Sequence, residues 1–557
     1  MKFSRKEILV FVGIAVLFLV LRMPGIHLLY HQDEYKWPII VNPALTAPGN
    51  IPHPPVGEFI YKTAGQTLSY DNFRLVPLFF SFINLLLLFY LVKNIAGKKA
   101  AFWGTLLFAV SFYSVLASLM VDTDGAIMPF FFLISAISYY KLKVSNFEID
   151  ETKWKWLFLL VLSIILGFLV KISFLVGISA LVLDFAFEKD ILADRKKVLK
   201  YLGVGIVSII SLVLVLIASR LIFPYFQLEW SVKYWKHFAN SSSFLNRGWL
   251  QTFIQFAKAI MYTSPLLILP ALFSSREIFK KTRPFFLFIF VGLFFYLFAF
   301  DFSIGALDRY LQFLIVPLCI ISGVVFAKVF DNKKTKLGKI DFITTSIITV
   351  SIFVLQFFNY SVLPLYPKTE WISRAISLKW NFLFPFTGGS GPTGFYISFL
   401  FIALVWICSI IFALFQLKIK NIQKRALFCI LVLGILYNGV FVEEYLFGKI
   451  NGSPYELFEN AKEFITENKD INKVVVYNDI GAYEIQKIGK YERRLYAIPQ
   501  SEESYKKILT DFNGHILYIN IPKISQNTFY SNYFDSCKNI YEGQDKYITA
   551  KILNCKK

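Results

Sequence analysis

The sequence predicts an α-helical polytopic membrane protein with about thirteen transmembrane helices and a small extracytoplasmic α/β domain at its C-terminal end. The composition is far too apolar for a soluble protein of 557 residues, with 56% hydrophobic residues, 17% charged residues and 61 phenylalanines. Apolar runs of about 17 or more residues recur from Ile8 to about Phe441, each long enough to cross a hydrocarbon core of roughly 30 Å. Because these runs are apolar all round instead of striped, a large soluble helical core explains them poorly.

The predicted spans follow from the hydropathy of the chain. They lie near residues 8–23, 73–92, 100–120, 126–140, 156–170, 172–187, 201–223, 252–272, 285–300, 310–330, 341–359, 395–416 and 426–442.

The basic residues of the connecting segments predict the orientation. Every second segment is rich in Lys and Arg, and the N-terminus, with Lys2, Arg5 and Lys6, belongs to the same set. Since positive loops stay in the cytoplasm, the N-terminus is predicted to be cytoplasmic. An odd number of spans then places the C-terminal domain outside, in a multi-pass protein of the plasma (inner) membrane. The net charge of +21 is mostly a consequence of this topology and requires no nucleic-acid partner.

The composition divides the chain into a transmembrane catalytic domain, 1–446, and an extracytoplasmic α/β domain, 447–557. Short β-branched segments at 474–477 and 516–520 alternate with helix-like stretches at 454–468 and 501–512, as in a small α/β domain. The outer compartment permits a disulfide between the domain's two cysteines, Cys537 and Cys555. No glycine-rich nucleotide-binding turn follows either strand, so no cofactor is assigned to this domain.

The first outer loop, residues 24–72, is too long for a simple connector and carries the most specific signal. Asp33 and Glu34 are adjacent, follow the first span directly and are flanked by His31. A solvated acidic pair at a helix start is the ordinary explanation. Ionisable groups held near the membrane surface between helices are functional candidates, however. The chemistry is therefore predicted to lie on the outer side, around these two carboxylates.

Three further places carry charge at the outer ends of spans. Asp122 and Asp124 lie in a very short loop, where Asp124 could cap the next helix or both could hold a divalent cation, Mg²⁺ or Mn²⁺. Lys171 divides an apolar stretch, either as a snorkelling lysine or as a cation that meets a lipid phosphate. Asp308 and Arg309 lie at the mouth of another span, where Arg309 is an interfacial anchor or a planar fork for a phosphate.

Carboxylates and cations on one face of the membrane fit a specific chemistry. A carboxylate can remove the proton of an acceptor hydroxyl as a new bond forms. Fixed cations stabilise the charge that grows on a leaving phosphate. Because no nucleotide is expected outside the membrane, the donor should be linked to a lipid.

In this pattern the chain resembles the GT-C superfamily of polyprenyl-phosphate-sugar-dependent glycosyltransferases, within it the protein O-mannosyltransferase and aminoarabinose lipid A transferase branch. The resemblance covers about residues 1–330 and rests on the order of several short motifs. These motifs are Asp33-Glu34, His53-Pro54-Pro55, Arg74 at the start of the second span, Asp124-Gly125, Lys171 and Arg309-Tyr310-Leu311. It implies a GT-C fold and transfer with inversion at the anomeric carbon.

The resemblance also implies roles for the acidic residues. Asp33 would be the base or the acceptor-binding carboxylate, and Glu34 would orient the acceptor or the loop. Asp124 would form another wall of the site. Asp122 makes a D-T-D sequence where many relatives have a single acidic residue, which leaves open a divalent cation held by Asp122 and Asp124. The W-W-D signature of oligosaccharyltransferases is absent, so transfer of a whole oligosaccharide to asparagine is not expected.

The basic residues would bind the donor. The resemblance gives Lys171, Arg309 and Arg74 to the donor phosphate. Pocket-shaping roles fall to His53, Tyr310 and Asp308. The predicted partners are a polyprenyl-phosphate-linked sugar, an acceptor hydroxyl on a protein, lipid or glycan, and the membrane lipids.

Two other classes of function stay open at this point. A polytopic transporter or flippase would have many spans and buried charges, but would not need a long outer loop with clustered carboxylates. A surface-glycan polymerase or ligase would use similar donors, often through a large late outer loop. The candidate loop here, 360–394, has no clear His/Arg constellation.

Overall fold

The computed structural model describes most of the chain and groups it into two compact units. The described residues are 4–41, 53–148, 150–151, 153–240, 248–299, 307–331, 337–357, 362, 364, 368–386, 393–418, 422–495, 506, 509–526 and 528–555. The first unit combines Met1–Met23 with Trp37–Thr335, and the second combines Pro24–Lys36 with Lys336–Lys557. The domain boundary at 446/447 stays a prediction, because it was inferred from composition, whereas these two units are defined by contacts within the structure.

Up to residue 335 the described regular elements are almost all helices. They are α1 (Arg5–Val20), α2 (Lys36–Val41), α3 (Pro55–Gly65), α4 (Leu75–Ala96), α5 (Lys98–Val110), α6 (Phe112–Leu119), α7 (Ile127–Val144), α8 (Trp154–Val170), α9 (Leu175–Glu188), α10 (Arg195–Ile222), α11 (Leu228–Asn240), α12 (Trp249–Ala271), α13 (Arg276–Phe294), α14 (Leu307–Tyr310) and α15 (Ile315–Phe330).

The described elements after residue 335 include seven strands. They are α16 (Lys339–Leu355), α17 (Lys368–Ile376), β1 (Leu383–Phe386), β2 (Phe395–Ser398), α18 (Phe399–Lys418), α19 (Gln423–Leu446), α20 (Pro454–Glu467), β3 (Val474–Tyr477), α21 (Ala482–Lys487), β4 (Tyr491–Leu495), β5 (His515–Ile519), α22 (Phe529–Ser536), β6 (Lys538–Asp545) and β7 (Ile548–Asn554).

A helix lies at each of the thirteen predicted span positions, because long apolar segments satisfy their backbone groups within themselves. Within the described residues, eight helices are long and apolar enough to cross a membrane, or nine if the bent pair α5 and α6 counts as one. The helix α10 leaves many of its apolar side chains exposed, as expected of a surface that faces lipid. The chain is a multi-pass membrane protein, and the count of thirteen spans stays a prediction.

The break between α5 and α6 bends the chain by 65° and is held by an arginine that the sequence did not single out. Arg22 is fully buried, and its guanidinium donates hydrogen bonds to the carbonyls of Phe108 and Ala109 at 3.3 and 2.9 Å, at the end of α5. It also donates to the hydroxyls of Ser114 and Ser118 in α6 at 3.0 and 2.9 Å. These bonds satisfy the carbonyls that the bend frees from the helix.

The predicted α/β domain is present in the second unit. Its five strands lie in the order β4-β3-β5-β7-β6, with β3 parallel to β4 and β5 and the remaining pairs antiparallel. The predicted strands at 474–477 and 516–520 correspond to β3 and β5, and the predicted helix at 454–468 corresponds to α20. Most of the predicted helix at 501–512 falls outside the described residues. One apolar core joins α20 and the sheet to Leu29 of the 24–72 loop.

Cys537 and Cys555 form a disulfide with an S–S distance of 2.06 Å, next to the β6–β7 hairpin. The closed loop spans 18 residues. A loop of this length restricts the unfolded chain enough to stabilise the domain by about 3 kcal/mol. Replacing both cysteines by serine should therefore speed amide hydrogen exchange in residues 528–555 of the intact protein. Cys408→Ser, which removes a free thiol in α18, serves as control. Equal exchange in all three proteins would contradict a stabilising role.

Candidate functional site

The Asp122–Gly125 turn joins α6 to α7 and is packed too closely for a larger residue at Gly125. A Cβ atom there would lie 2.7 Å from the carbonyl oxygen of Ala117 and 2.7 Å from Oε1 of Gln312. The N-cap of α7 is Ala126, which receives no side-chain capping bond. An N-cap role therefore does not account for Asp124, whose carboxylate has a different partner.

Lys171 lies where α8 ends, at a residue with extended backbone between two helical segments. Its ammonium donates to both carboxylate oxygens of Asp124, at 2.8 and 2.6 Å. Both side chains are only 4% exposed. A snorkelling lysine would keep its ammonium in water. The interface explanation for Lys171 is therefore wrong, and its charge is held inside the protein.

Arg309 brings the second aspartate into the same place. Its Nη1 lies 2.9 Å from Oδ2 of Asp122, and its Nε lies 3.8 Å from Oδ2 of Asp124. Its Nη2 donates to the hydroxyl of Tyr310 at 2.7 Å. The Tyr310 ring contacts both cations, with its centroid 4.5 Å from Nζ of Lys171 and 4.6 Å from Cζ of Arg309. We call Asp122, Asp124, Lys171 and Arg309 the ion-pair cluster.

Burial and the charges of the cluster shift the pKa values of Asp122 and Asp124 in opposite directions. Burial alone would raise the pKa of Asp122, but the positive charges of Arg309, Lys171 and His53 outweigh burial and hold this pKa below its ordinary value. For Asp124, burial and the negative charge of Asp122 together prevail over Lys171, so its pKa lies above the ordinary value. Buried charges of this kind persist only when they are paired.

The histidine motif of the 24–72 loop lies beside this cluster. His53 is half-buried and lies two residues before α3, and its charge acts on Asp122. The hydroxyl of Tyr61 in α3 donates to the backbone carbonyl of Asp122 at 3.1 Å. A Cβ atom on Gly57 would approach Thr123 to 2.8 Å, so the glycine allows α3 to pack against the turn.

Arg74 and Asp308 complete the predicted set in this unit. Arg74 is fully buried and donates through Nη1 to the carbonyl of Leu119, at the end of α6. This bond supports the turn that carries Asp122, while its predicted contact with a donor phosphate stays a prediction. Asp308 lies in α14, but its side chain is outside the described residues.

Asp33 and Glu34 belong to the second unit, in a 3₁₀ turn, Asp33–Tyr35. The Asp33 carboxylate pairs with Lys36, and these side chains are 35% and 50% exposed. Glu34 is fully buried, and its Oε2 accepts a hydrogen bond from the backbone N–H of His31 at 3.1 Å. The two adjacent carboxylates are therefore not equivalent, since Asp33 is partly exposed and Glu34 is fully buried.

The second unit also contains three polar residues that the sequence did not single out, Asn478, Asp479 and Arg494. Nε2 of His31 lies 2.8 Å from the carbonyl oxygen of Asn478, directly after β3. Nη1 of Arg494 in β4 donates to Oδ2 of Asp479 at 2.7 Å and to the Tyr35 hydroxyl at 2.8 Å. A signal was available, because polar residues at the carboxyl end of a parallel strand often line a site.

The described residues offer few ligands for a metal ion. No group of three or more His, Cys, Asp or Glu side chains there lies close enough together to hold a metal ion. Asp122 and Asp124 do lie together, but Arg309 and Lys171 already neutralise them. The donor set of the cluster thus fits a metal ion poorly.

The comparisons with known proteins agree with the sequence-based resemblance. The family model of the dolichyl-phosphate-mannose-protein mannosyltransferases matches residues 52–218, which include Arg74, both aspartates of the cluster and Lys171. Comparison with curated protein sequences gives no significant match.

Among solved structures, the chain is similar to ArnT from Cupriavidus metallidurans. The apo state gives a TM-score of 0.50 at 10% identity, over 98% of this chain and 97% of that one. The ArnT structure bound to undecaprenyl phosphate gives 0.50 at 12% identity, over 99% and 98%. The archaeal oligosaccharyltransferase AglB from Archaeoglobus fulgidus gives 0.47 at 12% identity, over 92% of this chain and 69% of that one. The similarity to ArnT establishes the fold, and the predicted GT-C resemblance is confirmed.

Proposed function

We propose that this chain, a multi-pass membrane protein with the GT-C fold, is an inverting glycosyltransferase. It moves a sugar from a polyprenyl-phosphate-linked donor to a hydroxyl of a protein, lipid or glycan acceptor. The observation that carries the proposal is the ion-pair cluster, because two cations and two carboxylates are buried together where apolar helices begin or end. Ionisable groups in such positions are costly and are generally retained for function.

The cations of the cluster provide what a leaving phosphate needs. Lys171 and Arg309 are less than 9% exposed, so their charges act in a medium of low polarity, where they are strong. As the bond between the anomeric carbon and the phosphate oxygen breaks, negative charge grows on that oxygen. Fixed cations then stabilise the transition state more than the ground state. The planar fork of Arg309 suits two phosphate oxygens.

The aspartates of the cluster keep those cations in place while no donor is bound. Asp124 holds Lys171 through two hydrogen bonds, and Asp122 holds Arg309. Tyr310, whose ring contacts both cations, fixes their separation. Preorganised charges of this kind need little reorganisation when the reaction occurs.

The acceptor proton goes to Asp33 in this proposal. Asp33 is the partly exposed member of its pair, while Glu34 is buried and accepts a hydrogen bond from the backbone of His31. As the acceptor oxygen attacks the anomeric carbon, the carboxylate takes the hydroxyl proton and the lipid phosphate departs with the bonding electrons. A single displacement of this kind inverts the anomeric centre.

The orientation belongs to the same proposal. The alternation of basic segments in the sequence supports an N-terminus in the cytoplasm and an α/β domain outside, in the plasma (inner) membrane. The donor sugar would then be presented on the outer face. ArnT, which shares the fold, has been crystallised with undecaprenyl phosphate, a lipid of the proposed donor class.

The decisive experiment is a transfer assay on the purified protein with a panel of short-chain polyprenyl-phosphate sugars, with and without EDTA. We expect consumption of one donor, which names the sugar. We expect EDTA to leave the rate unchanged, because Lys171 and Arg309 already supply the positive charge that a cation would bring. A rate that falls in EDTA and returns with Mg²⁺ or Mn²⁺ would contradict that expectation. Folded protein that neither binds nor consumes any donor would favour a transporter.

A further inference from the structure

The carboxyl end of β3 in the α/β domain carries two residues with an unusual backbone conformation. Directly after this strand, Asn478 and Asp479 both have left-handed backbone, with φ of 53° and 61°. This conformation is uncommon for residues other than glycine and persists only where surrounding contacts determine it. It directs the Asn478 carbonyl towards His31 and the Asp479 carboxylate towards Arg494.

Asn478 contacts the segment that contains Asp33 and Glu34 directly, and Asp479 contacts it through Arg494. Nε2 of His31 meets the Asn478 carbonyl on one side of the two carboxylates, and the hydroxyl of Tyr35 accepts from Arg494 on the other. The ring of Tyr30 packs on Tyr483 of α21, with centroids 5.2 Å apart. The carboxylate pair is therefore bracketed in sequence by contacts with the α/β domain.

The turn itself is not a relaxed one. Gln32, which directly precedes Asp33, has φ of 48° and ψ of −114°. Residues other than glycine rarely adopt this backbone conformation. Such strain is kept only when other contacts fix the chain, and it is often found at active sites. The contacts of His31 and Tyr35 on either side supply that fixation.

Arg494 connects the loop to the α/β domain, because its guanidinium binds Tyr35 and Asp479 at the same time. One guanidinium nitrogen, Nη1, reaches Asp479 at 2.7 Å and the Tyr35 hydroxyl at 2.8 Å. Asp479 is fully buried, and its own ion pair with Arg494 fixes the direction of the guanidinium. Burial raises the pKa of Asp479, and the positive charges of Arg494 and His31 oppose that shift.

We propose that Asp479 and Arg494 are positioning residues for the Asp33–Glu34 turn, so that the C-terminal domain sets the geometry of the sugar transfer. Asp479 orients Arg494, Arg494 holds Tyr35, and Tyr35 fixes the turn that presents Asp33 to the acceptor. This inference rests on the proposed function, in which Asp33 takes the acceptor proton. Neither residue touches the reacting atoms.

A double-mutant cycle tests the link. Arg494→Met and Tyr35→Phe each remove one partner of the same hydrogen bond in the intact protein. We expect each to lower kcat by about 10- to 100-fold with little change in donor KM, since a displacement of about 1 Å of a reacting group has effects of this size. The double variant should be no slower than the slower single variant, because one bond is lost in each case. Arg494→Lys should recover part of kcat.

Hydrogen exchange provides a readout that does not depend on turnover. In Arg494→Met and Asp479→Asn, amide exchange in residues 28–36 should become faster, while exchange in β5 and β7 stays as in the unmodified protein. Arg493→Met is the matched control, because it removes an adjacent arginine whose side chain points to the other face of β4. It should change neither kcat nor exchange.

The outcomes separate the inference from the function on which it rests. An unmodified protein that transfers sugar, with Arg494→Met equally active and equally protected, would overturn the inference and leave the function standing. Fully additive losses in the double variant would also overturn it, because Arg494 would then act through another contact. An unmodified protein that consumes no donor would overturn the function, while faster exchange in Arg494→Met would still support the structural link.

Discussion

Replacing Asp33 by asparagine should lower the rate of sugar transfer by about 100- to 10,000-fold, because the amide cannot take the acceptor proton. Donor binding should stay within about twofold, since the cations assigned to the phosphate belong to other segments. The measurement is single-turnover transfer with the donor found in the panel assay, together with titration of donor binding. Asparagine keeps the shape of the side chain, so expression and folding should be unchanged.

The matched control for this variant is Asp71→Asn, which alters an exposed carboxylate in the same predicted outer loop. It should transfer sugar at the unmodified rate. Glu34→Gln alters the other carboxylate of the pair, which is buried and accepts a hydrogen bond from the backbone N–H of His31. It therefore tests a structural role and not a role as base. Full turnover in Asp33→Asn would remove Asp33 from the role of base and leave the acceptor proton without an assigned partner.

Replacing Lys171 by alanine should weaken donor binding by about 10- to 100-fold, the size of a lost charge-assisted hydrogen bond. The same change leaves the buried carboxylate of Asp124 without its main partner, which costs about 3–5 kcal/mol of stability. Low yield of this variant is therefore expected and would by itself say nothing about the donor.

The double variant Lys171→Ala with Asp124→Asn separates the two effects. It removes the uncompensated charge, so the melting temperature of the double variant should exceed that of Lys171→Ala. Donor binding should stay weak, because the cation is still missing. Lys62→Ala, which removes a partly exposed lysine paired with Glu58, is the control. A double variant that binds donor as tightly as the unmodified protein would show that Lys171 does not bind the phosphate.

Much of the fold could be predicted from the sequence because apolar segments in a membrane have few alternatives to the helix. The break at Lys171 was visible, since a single charge interrupts an apolar stretch. The bend between α5 and α6 was not, because residues 100–120 read as one continuous span. There, Ser111 ends one helix and begins the next, and the carbonyls it frees are bound by Arg22, a residue about ninety positions earlier in the sequence.

The sequence by itself determined that the protein lies in the membrane, that its C-terminal part is an α/β domain, and which charged residues are candidates for the site. These features depend on local composition and on motif order, which a linear chain displays directly. Only the tertiary structure decided the pairs, with Lys171 on Asp124 and Arg309 on Asp122. It also decided that Glu34 is buried while Asp33 is partly exposed, and that their turn packs with the α/β domain. The reason is physical: ion pairs and burial depend on distances between segments far apart in sequence, and those distances are set by packing.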